Sequence, residues 1–322
     1  LVRGRYRELK PYIHEGIDGW LFVTAGTNNP LMQFSHSKHM RLALRVWKKL
    51  TLWRSRRCKG AGIQYLHVIV PEKIAVYDDK CPRLPIKIRL SPALRLRRSL
   101  LWHPRTRREC IRLIGPLRKK RDKQQLYYQT DSHWTFAGRL IAYREICRAL
   151  GAKPREDFAE RPTFEDVLHG DMGSVLEPPR LEPSTFHALQ RDAVRTYASP
   201  IVLAREAAGQ AHTLHVGSHV IFRNETPEAD PRRVLLFGDS YSHFATHMLT
   251  VMLAETFREV DFIWSTSIDW NYVDRTKPDI LITEIAERFM WRVPDDKFNV
   301  AIYASERYGQ ELEDIEISNV AL

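Results

Sequence analysis

Val234-Leu-Leu-Phe-Gly-Asp-Ser-Tyr-Ser242 decides the reading of this chain. Val234–Phe237 is a short apolar run of the kind that forms a buried strand. Gly238-Asp239-Ser240 interrupts it, and residues Tyr241 to Phe257 are predicted as a helix that starts at once. A serine on a sharp strand-to-helix turn stands above the edge of its sheet. The first amides of a helix are unpaired donors, and the helix dipole favours negative charge beside them. Such amides can stabilise an oxyanion, so Ser240 is the candidate nucleophile. The plainer alternative is that Ser240 or Asp239 merely caps the helix. Gly-x-Ser-x-Gly is absent, so this is not the usual α/β-hydrolase turn.

The flanking segments repeat the alternation of strand and helix. Ser37 to Lys59 carries Met40, Leu44, Trp47, Leu50 and Trp53 at three- and four-residue steps, which predicts a helix stopped by Gly60 and Gly62. Ile63–Val70 reads as a buried strand ended by Pro71. Thr135–Leu150 is helical by period, with Gly151 as its stop. Val260–Trp264 and Asp279–Ile285 complete four apolar strands. Residues 152–231 lack strong periodicity and read as an irregular elaboration. Residues 292–322 read as a C-terminal tail with an acidic end (Glu311, Glu313, Asp314, Glu316). The expectation is one α/β domain over residues 1–291, with a parallel central sheet covered on both faces and inserted loops. Ligands of such a sheet sit beyond the carboxyl ends of its strands.

Length and composition agree with a globular chain. It has 322 residues, 43% of them hydrophobic and 10% aromatic, which excludes a disordered or fibrous polypeptide. The net charge is +11. Residues 83–123 hold fifteen Lys/Arg against Glu109 and Asp122, so a near-neutral body carries one basic insert. That insert reads either as a solvated helical hairpin or as a docking strip for an anionic polymer, a phosphorylated carrier or a membrane surface. Cys58, Cys81, Cys110 and Cys147 show no zinc-ligand spacing. The stretch LVRGRYRELKP is not a signal peptide, and no run is long and apolar enough for a membrane span. A cytoplasmic home is the corresponding weak expectation.

A serine nucleophile needs a base, and the base needs an orienting partner. Thr130-Asp131-Ser132-His133-Trp134-Thr135 supplies both, with Asp131 and His133 in a loop just before a helix. With thirteen histidines in the chain, one Asp-x-His can arise by accident, and Asp131 can equally act as a cap. The two motifs strengthen each other because each supplies what the other lacks. His243 and His247 read as helix-face residues; His212, His215 and His219 read as strand and loop residues.

Five blocks occur in a telling order: Gly16-Ile-Asp-Gly-Trp-Leu-Phe22; Val70-Pro-Glu-Lys73 with Val76-Tyr77; Thr130-Asp-Ser-His-Trp-Thr135; Phe237-Gly-Asp-Ser-Tyr241; and Lys277-Pro-Asp-Ile-Leu-Ile282 with Glu287-Arg-Phe289. Together they resemble the SGNH-hydrolase-like domain of the alginate O-acetyltransferases AlgX and AlgJ, over about residues 16 to 290. The resemblance implies a three-layer α/β/α flavodoxin-like fold, a permuted SGNH hydrolase in which the Asp-x-His block precedes the Ser block. It implies a triad of Ser240, His133 and Asp131, and O-acetylation of an exopolysaccharide in the periplasm. The chain is too short for the separate carbohydrate-binding module of AlgX-type members.

On that footing the Ser240 amide is the first oxyanion donor, with the Gly173 amide and Asn224 as candidates for a second. Trp134, Trp264, Trp270 and Tyr272 are candidates for a sugar platform, with Trp134 preferred. Tyr241, Arg107 and Arg108 are further candidates for substrate contact. Trp20 reads as a packing residue. The chemistry needs no metal and no organic cofactor. The expected partners are an anionic polysaccharide acceptor and an acetyl donor or membrane-bound acetyl carrier. A carbohydrate esterase with the same triad and a non-catalytic polysaccharide scaffold are the competing readings. Nucleic-acid binding lacks any recognised module.

Overall fold

The computed structural model describes residues 8–10, 12–26, 29–84 and 86–320. Residues 1–7, examined above for a targeting signal, lie outside the described residues, as do the side chains of Asp314 and Glu316. In chain order the strands are β1 (Glu8–Lys10), β2 (Ile13–Glu15), β3 (Leu21–Val23), β4 (Gln64–Val70), β5 (Thr163–Leu168), β6 (Glu182–His187), β7 (Val194–Ala198), β8 (His219–Arg223), β9 (Asp230–Gly238), β10 (Phe257–Trp264) and β11 (Ile280–Ala286). Strands β1, β2 and β3 make a small antiparallel sheet, and β5 pairs with β6 in a ribbon. The central sheet has six strands in the order β4-β11-β9-β10-β8-β7.

Its first four strands are parallel. The β8 strand runs antiparallel to both β10 and β7. The fold is therefore α/β with a mixed sheet, which corrects the expectation of a parallel one. The two extra strands come from the region read as irregular. β7 is mostly exposed, and β8 carries only the three-residue apolar run Val220-Ile-Phe222 among polar neighbours, so neither stands out in the sequence.

Successive side chains of a strand point to opposite faces, and the core follows that rule. Leu66, Val68, Val234, Leu236, Val260, Phe262, Ile280 and Ile282 join the core beneath the Phe136–Leu150 and Leu249–Ala254 helices. Tyr65, Leu235, Phe237, Ile263 and Leu281 point the other way, toward Cys58 and Val273. Each fully buried Leu, Ile, Val or Phe contributes about 1.5–3 kcal/mol of transfer free energy. Burial on both faces is why apolar residues fill consecutive positions in these strands, as in Val68-Ile-Val70, Val234-Leu-Leu-Phe237 and Ile280-Leu-Ile282, rather than every second one.

The Lys38–Gly60 helix begins on the Ser37 cap, whose side chain accepts from the Met40 amide, as the periodicity predicts. Thr135 caps the Phe136–Leu150 helix, and Gly151 ends it with a positive φ. The helix predicted from Tyr241 to Phe257 is a correction. Only Leu249–Ala254 is α-helical, and Ser240–Ser242 is a single 3-10 turn. His243 and His247 therefore do not share a helix face. The basic insert folds into three short helices, Pro92–Ser99, Pro104–Glu109 and Ile114–Lys120, rather than a two-helix hairpin. Residues past 291 pack onto the body: a Val300–Val320 helix buries Tyr308, whose hydroxyl donates to the Val216 carbonyl at 2.7 Å. All four cysteines are buried free thiols. Among the described residues, no helix is long and apolar enough to cross a membrane.

Candidate active site

Ser240 follows the carboxyl end of β9, at the centre of the parallel part of the sheet. The turn is tight: a Cβ on Gly238 would lie 2.8 Å from the Ser242 Cβ and 3.0 Å from a Glu284 carboxyl oxygen. Asp239 caps the turn. Its Oδ1 accepts from the Tyr241 amide at 3.0 Å and its Oδ2 from the Ala286 amide at 2.6 Å. The next strand supplies the floor. Glu284 on β11 accepts from the Asp239 amide at 3.0 Å and the Ser242 hydroxyl at 2.9 Å. Burial, and then the neighbouring Asp239, push the Glu284 carboxyl well above its ordinary range, so it is held neutral.

The Asp131-Ser132-His133 loop meets this turn from the other side. His133 Nε2 lies 2.8 Å from the Ser240 hydroxyl, and its Nδ1 lies 2.7 Å from Asp131 Oδ1. Asp131 also accepts from the His133 amide at 2.6 Å and the Asp171 amide at 2.8 Å. Burial opposes charge on Asp131, yet the His133 charge and these hydrogen bonds outweigh it and hold the carboxyl well below its usual range. Burial likewise pulls His133 down, but Asp131 beside it raises the imidazole above its ordinary value of 6.5. With Nδ1 donating to the carboxylate, Nε2 is free to accept the serine proton.

Buried polar groups lock that loop. The Lys73 ammonium donates to the carbonyls of Tyr128 at 2.9 Å, Gln129 at 3.1 Å and Asp131 at 2.8 Å. It also faces the rings of Trp20 and Phe22. Burial pushes Lys73 down to about 8, which still leaves it charged at neutral pH. The Tyr241 hydroxyl donates to the Ser132 carbonyl at 2.6 Å, and buried Arg288 pairs with Glu72 at 2.8 Å and reaches the Tyr241 oxygen at 3.2 Å. Asp171 accepts from the Ser132 amide at 2.8 Å and from its hydroxyl. Asp131, His133 and Asp171 gather potential ligand atoms within 4.8 Å of one another. Both His133 nitrogens already face Asp131 and Ser240, and both Asp171 oxygens face Ser132, so these groups form a hydrogen-bond relay.

The remaining sequence candidates fall in several places. The Gly173 amide donates to the Thr130 carbonyl at 2.8 Å, so it is not free to hold an oxyanion. Its role is steric, since a Cβ there would lie 2.1 Å from the Arg180 carbonyl. Asn224 is fully buried, donates to the Glu255 carbonyl at 3.0 Å, and sits beside Arg258 at the amino end of β10, opposite the edge that carries Ser240. Trp134 and Tyr241 are both buried and pack edge to face at 5.1 Å, so neither presents a surface to a sugar. Trp270 meets Trp53 edge to face at 5.1 Å, and the Tyr272 hydroxyl donates to Asp261. Arg107 and Arg108 lie on the Pro104–Glu109 helix, which is held by a Thr106–Ser55 hydrogen bond outside β4, two strands from β9. Of the sugar-platform candidates, Trp264 lines the cavity beside Ser240. The Ser240 amide has no protein acceptor among the described residues.

A cavity of about 500 Å³ opens beside Ser240 and is walled by Trp264, His212, His215, Phe289 and Arg292. His215 stacks on Trp264 at 5.4 Å. Four of these five residues were missed as site residues in the sequence: His212, His215 and Arg292 belong to no motif, and Phe289, though in a quoted block, reads as a packing residue. The 152–231 elaboration and the segment after β11 meet only in three dimensions.

A family model described as "SGNH hydrolase-like domain, acetyltransferase AlgX" matches residues 13–266. The chain belongs to this family. No curated protein matches it in sequence. Among solved structures, the O-acetyltransferase domain of Pseudomonas putida AlgJ is 17% identical, with 92% of this chain and 98% of that one covered at a TM-score of 0.53. Bacillus cereus PatB1 is 15% identical, with 87% and 98% covered at 0.56. A DHHW family protein from Eubacterium siraeum is 12% identical, with 88% and 96% covered at 0.58. These likenesses establish the shared SGNH-like fold.

Proposed function

We propose that the chain is an O-acetyltransferase that moves an acetyl group onto a hydroxyl of an exopolysaccharide of the alginate kind, through an acetyl-Ser240 intermediate. The observation that carries this reading is the continuous chain from Ser240 Oγ to His133 Nε2 and from His133 Nδ1 to Asp131, at 2.8 and 2.7 Å. Membership of an acetyltransferase family supports it. So does the cavity beside Ser240, which has room for a donor and a sugar ring.

In the first step His133 takes the Ser240 proton while Oγ attacks the donor's acetyl carbon. The bond from that carbon to the leaving group breaks, and His133 returns the proton to the leaving group. In the second step His133 takes a proton from the sugar hydroxyl, whose oxygen attacks the acetyl carbon. Ser240 leaves and recovers the proton. Asp131 keeps the imidazole in the tautomer with Nε2 unprotonated and stabilises its charged form. The Ser240 amide donates to the developing oxyanion, a contribution of about 3–4 kcal/mol. Tyr241, Arg288 and Lys73 act through the loop and are positioning residues. The periplasm is the compartment this reading assigns.

The test uses an activated acetyl ester with and without a soluble exopolysaccharide. The expected result is polymer-bound ester from the wild type and none from Ser240→Ala. Release of acetate that no polymer diverts identifies an esterase. Unaltered transfer by Ser240→Ala overturns the reading.

A further inference from the structure

The Lys38–Gly60 helix carries nine Lys or Arg residues and no Asp or Glu. Three of them, Arg41, Arg45 and Lys48, follow one another at helical spacing on its outer flank. They meet Arg95 and Arg98 of the Pro92–Ser99 helix around a concavity of about 460 Å³. No carboxylate lines it. Burial, and then the charges of Arg41 and Arg98, push the Arg95 guanidinium down, as expected for cations crowded without a counter-ion. The Pro104–Glu109 helix adds exposed Arg108. Its one acid, Glu109, is paired with Arg105.

Large apolar side chains stand out from the same helices and from the turn that joins the two short ones. Trp102 is 85% exposed and Leu101 is 53% exposed, at the tip between those two short helices. Leu42 and Val46, one helical turn apart on the long helix, are 60% and 43% exposed. Scattered apolar residues on a protein surface are ordinary, but a nearly bare Trp–Leu tip inside a cationic field is not.

We propose that this face docks on an anionic phospholipid surface, with Leu101 and Trp102 entering the headgroup region and the Arg/Lys field pairing with lipid phosphates. The observations favour lipid over a polymeric glycan on two counts. Sugars stack on flat aromatic walls in clefts, whereas this tip is convex and partly aliphatic. Tryptophan with basic neighbours is the side-chain set of a bilayer interface. The other flank of the long helix reaches the mouth of the Ser240 cavity. His39 stacks on Trp291 and bonds its carbonyl at 2.9 Å, and the next residue, Arg292, lines the cavity beside Ser240. The inference does not depend on the chemistry of Ser240.

The test is co-sedimentation of the full chain with vesicles of phosphatidylcholine alone and with phosphatidylglycerol added, at low and high salt. Binding is expected to the anionic vesicles only and to weaken with salt. Each cation removed lowers partitioning about fivefold. Arg45→Glu with Arg98→Glu therefore reduces it more than about twentyfivefold, while Arg45→Lys with Arg98→Lys restores it. Leu101→Ala with Trp102→Ala weakens binding in both salts. Lipids brominated on their chains quench the wild-type fluorescence, and the quenching drops in Trp102→Phe. Equal binding to neutral and anionic vesicles, or capture by a soluble acidic polysaccharide with none by vesicles, overturns the proposal. Unchanged quenching in Trp102→Phe also overturns it.

Discussion

Two histidine–aspartate pairs sit at the same 2.7 Å separation, the half-buried Asp131–His133 and the buried Asp261–His219. In the first, the carboxylate engages Nδ1, and Nε2 points at the Ser240 hydroxyl. In the second, the carboxylate engages Nε2 itself, and its other oxygen accepts from the Tyr272 hydroxyl at 2.6 Å. The second pair bridges β8, β10 and the Trp270–Thr276 helix; a serine hydroxyl, that of Ser199, meets only the His219 backbone amide, at 3.2 Å. Residue types and distance are shared. What differs is which ring nitrogen is left over and what it faces, and that is set by chain topology. One pair lies at the carboxyl edge of parallel strands beside a strand-to-turn serine. The other ties together the antiparallel margin of the sheet.

The sharpest way to break that contrast is to neutralise each aspartate. Asp131→Asn is expected to cut acetyl transfer by roughly 10⁴, because the imidazole loses the tautomer it needs. Asp261→Asn should leave the rate within about tenfold and lower stability by about 1–3 kcal/mol, the cost of disturbing a buried hydrogen-bonded set. Steady-state rates and denaturant melts on both variants measure this, and equal rate losses would erase the distinction.

The next largest effect concerns the clamp that only the first pair has. Lys73→Met leaves three carbonyls around the Asp131 loop without their donor. A loss on the order of 3 kcal/mol is expected, with a fall in kcat larger than any change in KM. An unchanged kcat would mean that the loop holds its geometry unaided.

The pH profile sharpens the comparison further. The base must be neutral to act, and Asp131 raises His133 above 6.5. Activity is therefore lost as pH falls through a midpoint above 6.5. In Asp131→Asn that midpoint moves down, since the main raising influence has gone. The stability that the pair contributes through His133 has the opposite sense: it is present below 6.5 and lost as pH rises through the raised value. An activity midpoint at or below 6.5 in the wild type contradicts the described pairing.

Smaller effects are expected around Ser240. Arg292→Ala, at the exposed cavity wall, should raise the KM for an acceptor glycan about tenfold, or about 1.4 kcal/mol, with little change in acetyl-enzyme formation. Glu284→Gln should leave melting within about 1 kcal/mol of the wild type, because an amide replaces an acid already held neutral. A large destabilisation would show that Glu284 is ionised.

How much of this was legible follows from where each feature stores its information. The four parallel strands are buried on both faces, so each carries a short run of consecutive apolar residues, and the caps Ser37 and Thr135 stand where their helices begin. Ser240, His133 and Asp131 lie in two short motifs whose local geometry is set by adjacent residues. The cavity wall is different. His212, His215, Phe289 and Arg292 come from distant loops, and no spacing links them. Asn224 and Gly173 failed as oxyanion candidates because an amide's availability depends on its tertiary acceptor. The predicted helix after Ser240 is too long because Phe244 reaches the core from irregular chain, so an apolar residue there does not require a helix.

Intact-protein mass measurement with peptide mapping, after incubation with an activated acetyl ester, tests the central claim most directly. The account predicts a gain of one acetyl group, mapped to Ser240, absent in Ser240→Ala and strongly slowed in His133→Ala. A gain of the same size and rate in Ser240→Ala would contradict it.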